Sequence, residues 1–257
     1  MSAGPLAGRG VVVTRPREHA TALAERIRAA GGEPILFPTI EILPPENSGV
    51  VSNIIERLDT FRLAVFVSPI AARRGHAMVR TRRTWPANLL VAAVGMGTAR
   101  ALSEEGFRDV ISPSTEADSE SLAALPALGD LRGRSVVIFR GQGGREWLRG
   151  ELEARGARVE YAECYRRARP HADAGVLLAR WQTGAVEAVS ITSAEGLRNF
   201  FDMLPPTGGS YLRATTAFVP HPRIELAARN SGISEIVVTG QGDDRIVAGM
   251  AAFFARV

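Results

Sequence analysis

The chain carries an internal repeat, and a repeat confines it to folds that can be built twice. Val11-Val12-Val13-Thr14-Arg15 is matched 125 residues later, from 11 to 136, by Val136-Val137-Ile138-Phe139-Arg140. Leu23 meets Leu148 and Gly31 meets Gly156 at the same offset. So do Ser68 with Ser193 and Gly97 with Pro222. Matches in register over this length indicate a duplicated unit and two similar lobes. Clefts between lobes are favoured small-molecule sites.

Within each repeat, short apolar runs alternate with segments of helical spacing. Val11–Thr14 reads as a buried strand, and Ala20, Leu23, Ala24 and Ile27 mark the helix after it. Gly31-Gly32 ends that helix, as a C-terminal glycine does. Pro34–Phe37, Leu63–Val67, Leu89–Val94 and Val110-Ile111 read as further strands, with helices over Val51–Leu58, Ala99–Glu105 and Asp118–Leu125. The second half gives strands at Ser135–Phe139, Val159–Tyr161, Val186–Thr192, Thr215–Val219 and Glu235–Thr239. Its helices are Arg145–Arg155, Ala194–Met203, Arg223–Asn230 and Asp244–Phe254, and Pro205–Ser210 reads as a surface loop. Strands alternating with helices predict parallel sheets covered by helices. Two proline-bounded stretches, Pro38–Pro45 and Ala162–Pro170, interrupt the alternation and read as extended crossings.

Composition narrows the function classes. All 31 basic residues are arginine, and the formal net charge is +4. Arginine-only usage reflects either base composition or a surface suited to carboxylates and phosphates, which a guanidinium grips through a bidentate fork. The arginines are dispersed and aromatics make up 6% of the chain, which argues against a nucleic-acid groove with stacking platforms. No apolar run reaches about 18 residues, so no membrane span is expected. Residues 1–10 show no secretory apolar core, and the single Cys164 forms no intramolecular disulfide. Both features lead to the expectation of a cytoplasmic protein. The four histidines have no metal-ligand spacing.

Ligands of open parallel sheets bind at the carboxyl ends of strands, so the loops there are the candidates. Arg140-Gly-Gln-Gly-Gly-Arg145 is glycine-rich and precedes a helix. It is either an anion cradle of backbone N–H groups or a tight strand-to-helix turn, and it lacks the lysine of a nucleotide-binding loop. Arg15 and Arg140 occupy matching positions, and each either clamps a carboxylate or pairs with a nearby acid. Thr98 either caps its helix or meets a ligand. Ser68 and Ser193 lack the flanks of a nucleophile elbow, and Cys164 has no neighbour that would activate it. Tyr165 is either a linker aromatic or a donor aimed at the cleft.

Taken in order, these segments resemble the uroporphyrinogen-III synthase family over nearly the whole chain. Val12-Val-Thr-Arg-Pro16, Phe37-Pro-Thr-Ile-Glu-Ile-Leu-Pro44, Val65-Phe-Val-Ser-Pro69 and Ala93-Val-Gly-Met-Gly-Thr-Ala-Arg100 carry the likeness in the first half. Asp118-Ser-Glu-Ser-Leu122, Arg140-Gly-Gln-Gly-Gly-Arg145, Cys164-Tyr-Arg-Arg167, Thr192-Ser-Ala-Glu-Gly196 and His221-Pro-Arg223 continue it. Ile70 departs from the family, whose members often carry asparagine there.

The resemblance implies an α/β fold of two flavodoxin-like parallel-sheet lobes joined by a two-stranded linker. One lobe would take residues 8–37 plus 172–257, the other 52–160, with linkers at 38–51 and 161–171. A simple repeat would instead cut the chain once, near Arg132. The implied reaction is cyclisation of hydroxymethylbilane, with loss of water and inversion of the last pyrrole ring, in tetrapyrrole and heme biosynthesis. No cofactor and no metal are implied. The implied catalytic residue is Tyr165, with Arg15, Ser68, Thr98, Arg140, Gly141, Ser193, Pro222 and Arg223 holding the substrate carboxylates. A monomer is expected, with hydroxymethylbilane as its ligand, a transient contact with the upstream bilane-forming enzyme, and no nucleic-acid or membrane partner. The alternative class is a non-catalytic two-lobed anion-binding or regulatory module.

Overall fold

The computed structural model describes residues 4–114 and 118–256. The chain opens with β1 (Gly10–Val13), α1 (Arg17–Ala29), β2 (Glu33–Leu36) and β3 (Glu41–Leu43). There follow α2 (Ser48–Glu56), β4 (Leu63–Phe66), α3 (Pro69–Arg80), β5 (Leu90–Ala93), α4 (Met96–Glu104), β6 (Val110–Ile111) and α5 (Ser119–Ala123). Next come β7 (Ser135–Gly141), α6 (Trp147–Ala154), β8 (Arg158–Ala168) and α7 (Ala174–Gln182). The last stretch holds β9 (Ala188–Ser190), α8 (Ala194–Met203), α9 (Pro206–Ala214), β10 (Thr216–Val219), α10 (Pro222–Asn230), β11 (Ile236–Val238) and α11 (Asp243–Phe254).

These elements form two compact units. One takes the residues up to Glu41 and from Ala168 onward; the other is Ile42–Arg167. The first holds a five-stranded sheet in the order β2-β1-β9-β10-β11, with every pair parallel. The second holds a six-stranded sheet, β3-β8-β7-β4-β5-β6, whose pairs from β8 to β6 are parallel. Counted from β1 in one unit and from β7 in the other, both follow the flavodoxin-like order 2-1-3-4-5. With β3 of the first crossing set aside, each unit therefore combines two strands of one repeat with three of the other, so the repeats and the compact units do not coincide. The two crossings contribute to one sheet, where β3 lies beside β8.

Every central strand is buried on both faces, as parallel sheets between helix layers require. In the second unit Ala64, Phe66, Val137 and Phe139 face α2, α3 and α4. Leu63, Val65, Val136 and Ile138 face α5 and α6. In the first unit Val12, Val189, Ala217 and Val219 pack under α7, α8 and α10, while Val11, Val13 and Phe218 pack under α1 and α11.

Strand register locates where the repeat slips. Val11 pairs with Pro34 as Val136 pairs with Val159, which keeps the offset of 125. Leu63 pairs with Leu90, but Ala188 pairs with Thr216, one residue further along. The second repeat thus has one extra residue between β9 and β10. The expected equivalence of Gly97 with Pro222 is corrected accordingly: the N-caps Gly95 and His221 correspond, and Met96 matches Pro222.

Other elements differ from the sequence reading. Helix α2 starts at Ser48 because the Asn47 side chain accepts from the Gly49 N–H at 3.2 Å and caps it early. Residues 206–214 form α9 instead of a loop; Gly208 fits closely against Leu204 and Leu178, and Leu212 is buried. Tertiary packing there overrides two glycines of poor helix propensity. Helices α3 and α7 form where no helix is expected above, and bury Ala72 with Val79 and Leu177 with Trp181 at helical spacing. Strand β8 runs unbroken from Arg158 through the second crossing. No helix among the described residues is long and apolar enough to cross a membrane.

Candidate active site at the strand ends

Five of the predicted residues belong to the second unit: Ser68 just after β4, Thr98 in the first turn of α4, Arg140 and Gly141 at the end of β7, and Tyr165 in β8. Ser68 ends the β4 segment and caps α3, where its Oγ accepts from the Ala71 N–H at 3.0 Å. Pro69 at the next position fits the cap, since its missing N–H would have no intrahelical partner. The phenol oxygen of Tyr165 lies 3.2 Å from Ser68 Oγ. Tyr165 is 2% exposed and belongs to the apolar layer that includes Ala71, Ala162 and Cys164. Thr98 sits in the first turn of α4, is buried, and donates its N–H to the Gly95 carbonyl at 3.0 Å.

Arg140 is 5% exposed. Its Nε donates to the Gly141 carbonyl at 3.1 Å, its Nη1 to Glu146 Oε1 at 3.0 Å, and its Nη2 to the Gly143 carbonyl. Its guanidinium also lies 4.3 Å above the Tyr161 ring. The left-handed Gly143 and Gly144 let the loop curl around this side chain. Of the two readings left open for Arg140, the structure forms the internal pair, and the side chain organises the loop that follows it. The Tyr161 hydroxyl donates to Glu146 Oε2 at 2.7 Å. That bond, with Arg140 beside it, holds the Glu146 carboxyl below its usual range. Burial and Glu146 push the Tyr161 phenol up to about 12. Burial likewise raises the Cys164 thiol to about 12, so Cys164 is no nucleophile.

Four predicted residues belong to the first unit. Ser193 caps α8, accepting from the Gly196 N–H at 2.9 Å, as Ser68 does for α3. Arg15 forms an ion pair with Asp243 at the start of α11, and both side chains are mostly buried. Here too the nearby acid is the partner. Pro222 and Arg223 are exposed in the first turn of α10. The Arg223 N–H donates to His221 Nδ1 at 3.0 Å, so this amide, expected to face an anion, serves the cap. Glu146, Tyr161 and Asp243 were not singled out from the sequence, because charge partners brought together by folding leave no spacing to read. Among the described residues no cluster of His, Cys, Asp or Glu is arranged to hold a metal ion.

Each unit is thus a doubly wound α/β sheet with its polar side chains gathered where parallel strands end and helices begin. Within that class the comparisons are specific. Residues 21–243 match the family model described as uroporphyrinogen-III synthase HemD. The chain is 32% identical to the uroporphyrinogen-III synthase of Salmonella typhimurium over 236 residues, 91% of this chain and 96% of the relative. It is 30% identical to that of Escherichia coli over the same shares. The fold matches a mutant uroporphyrinogen III synthase from Thermus thermophilus with a TM-score of 0.66 at 18% identity, covering 97% of this chain and 100% of the other. It matches the Helicobacter pylori uroporphyrinogen-III synthetase with a TM-score of 0.61 at 14% identity, covering 95% and 99%. The chain belongs to the uroporphyrinogen-III synthase family.

Proposed function

We propose that this chain is an active uroporphyrinogen-III synthase, a lyase that closes hydroxymethylbilane into uroporphyrinogen III with release of one water. The observation that carries the chemistry is the Tyr165–Ser68 pair, a phenol 3.2 Å from a hydroxyl at a strand end. The pyrrole nitrogen of the terminal ring supplies the electrons that expel hydroxide, so the protein needs only a weak acid for the first step. Tyr165 is buried and Ser68 only half-buried, so the proton passes outward: Tyr165 donates to Ser68 Oγ while Ser68 donates to the departing hydroxyl. The Ala71 N–H fixes the serine for this hand-over. The proton later lost from the ring carbon restores the phenol.

Ring inversion is a matter of geometry. Attack must occur at the substituted pyrrole carbon before the simpler closure takes place, and holding the chain in that fold is proximity catalysis. In each unit the first turns of helices that follow strands, α3 and α4 in one and α8 and α10 in the other, offer N–H groups and a helix dipole that favour carboxylates such as the eight of the substrate. Arg15 and the exposed Arg223 add charge. The protein works in this reading as a cytoplasmic monomer without cofactor, and receives its labile substrate through transient contact with the enzyme that makes it.

The test is product analysis. Purified protein with fresh hydroxymethylbilane is expected to yield isomer III. Isomer I alone, the product of spontaneous closure, would replace this reading with a non-catalytic two-lobed binding module.

A further inference from the structure

We infer that Gly141, with the β-bulge opposite it, is the positioning device that aims the Tyr165 phenol at Ser68. The inference rests on the reading of Tyr165 as the proton source, but its geometry stands apart from that reading. Along β8 the side chains alternate as a strand requires. Val159 and Tyr161 pack toward α5 and α6, whereas Ala162 and Cys164 pack toward α2, α3 and α4. Continued alternation would turn Tyr165 back to the face of Tyr161, away from Ser68. Instead Cys164 and Tyr165 are both buried in the same layer.

The strand register shows why. Arg140 pairs with Glu163, but Gly141 pairs with Tyr165, so Cys164 is an extra residue in the ladder. A bulge of this kind re-aims the side chain that follows it. The Cys164 thiol donates to the Arg140 carbonyl at 3.3 Å, and the Gln142 N–H donates to the Tyr165 carbonyl at 2.7 Å, closing the bulge on either side.

The bulge brings the phenol ring down onto Gly141. A Cβ at this position would stand 2.6 Å from ring atoms Cε2 and Cζ and 3.0 Å from the phenol oxygen. No buried ring tolerates that approach. The φ of Gly141 is not in the left-handed region, so the backbone itself does not call for glycine there. The requirement comes from the ring alone. In the other repeat the corresponding positions hold Pro16 and Ile40. The glycine and the tyrosine are therefore present together in one unit and absent together from the other.

The experiment compares Gly141→Ala, Tyr165→Phe and the double variant, with 13C-labelled tyrosine observed by NMR. The chain has 3 tyrosines, and Tyr165→Phe assigns the signal. In Gly141→Ala the Tyr165 resonance is expected to shift while those of Tyr161 and Tyr211 stay. Turnover should fall about tenfold or more with KM held within about twofold, as for a group that acts only in the transition state. In the Tyr165→Phe background Gly141→Ala should cost no further turnover. An unmoved Tyr165 resonance, or an equal loss of turnover in both backgrounds, overturns the inference and returns Gly141 to substrate contact. If Tyr165→Phe alone leaves turnover unchanged, the acid reading fails, and the resonance still decides whether Gly141 places the ring. If Gly141→Ala does not fold, Gly141→Ala/Tyr165→Ala removes the ring it strikes. Recovery of folding supports the contact, and continued failure overturns it.

Discussion

The two units answer the same sequence differently at the same place. Ser68 and Ser193 are matched in the repeat, cap matched helices, and accept from the third N–H onward at 3.0 and 2.9 Å. Beside Ser68 stands a phenol; at the matching position of the other unit stands Ile40, 7% exposed, with Thr39 next to it bonded to the Thr14 carbonyl. The arginines after the first strand of each repeat also diverge. Arg140 keeps its donors within the next six positions, on Gly141, Gly143 and Glu146, whereas Arg15 reaches Asp243 at the start of a distant helix. The duplicated scaffold preserves what any strand-to-helix junction needs, namely a cap. What distinguishes the two junctions is the phenol beside Ser68 and the glycine, Gly141, that yields space to its ring.

The largest effect expected from that difference is on Tyr165. Tyr165→Phe keeps the ring against Gly141 and removes only the donor. Turnover should drop about 10²-fold, the low end of the range for a general acid, because the pyrrole supplies most of the push. The melting temperature should barely move. Steady-state assay of isomer III formation checks it. Unchanged turnover would mean that water or a substrate carboxylic acid protonates the leaving group, and the two units would then be chemically alike.

Next in size is the contrast between the arginines. Arg140→Ala removes three donors and the stack on Tyr161, and takes from the Gly141 and Gly143 carbonyls the buried guanidinium that ties them together. A destabilisation of about 3 kcal/mol is expected. Arg15→Ala breaks one ion pair and should cost about 1–2 kcal/mol. Urea denaturation of both variants measures the order. If Arg15→Ala proves the costlier, the loop after β7 is not the more tightly organised of the two.

How much of this was legible beforehand follows from the kind of interaction involved. Local patterns show in sequence: the Val-rich strands, the glycine stops, and the serines that precede helices. The offset between Val11 and Val136 already implied two similar sheets. Pairings made across the fold show less. Exchange of strands between repeats depends on which edges pair, and Val12 is equally apolar beside Val189 or beside any other strand, so the discontinuous lobe follows only from the family resemblance and not from the repeat. The bulge at Cys164 is one residue long, and a run such as Glu163-Cys164-Tyr165 looks like any polar-flanked strand. The slip between β9 and β10 is likewise one residue long, too short to show in the match of Gly97 with Pro222 along the sequence. Charge partners are least legible: nothing near Arg15 in sequence points to Asp243, 228 positions away.

Smaller again is the cost of the caps themselves. Ser68→Ala and Ser193→Ala each remove one cap acceptor, so each should lose about 1 kcal/mol of stability. Only Ser68→Ala should also lower turnover, by an amount close to that of Tyr165→Phe, since both interrupt the same proton path. Equal turnover losses in the two serine variants would erase the distinction between the units.

The smallest effect is a pH signature confined to the loop after β7. Glu146 is held below its usual carboxylate range, first by the Tyr161 hydroxyl and then by Arg140. A depressed folded pKa means that the folded state binds the proton more weakly than the unfolded chain does. Its contribution to stability is therefore fully present above the unfolded value, about 4.3, and is lost as pH falls through the folded value. Glu146→Gln removes the charge at every pH. Wild type and variant should differ in urea midpoint at pH 6–8, begin to converge below about pH 4.3, and coincide once Glu146 is protonated in the folded state. The residue is exposed, so salt should shrink the difference. Parallel curves across the whole acid range would show that Glu146 does not couple Arg140 to Tyr161, and that the loop keeps its shape through its glycines and carbonyls alone.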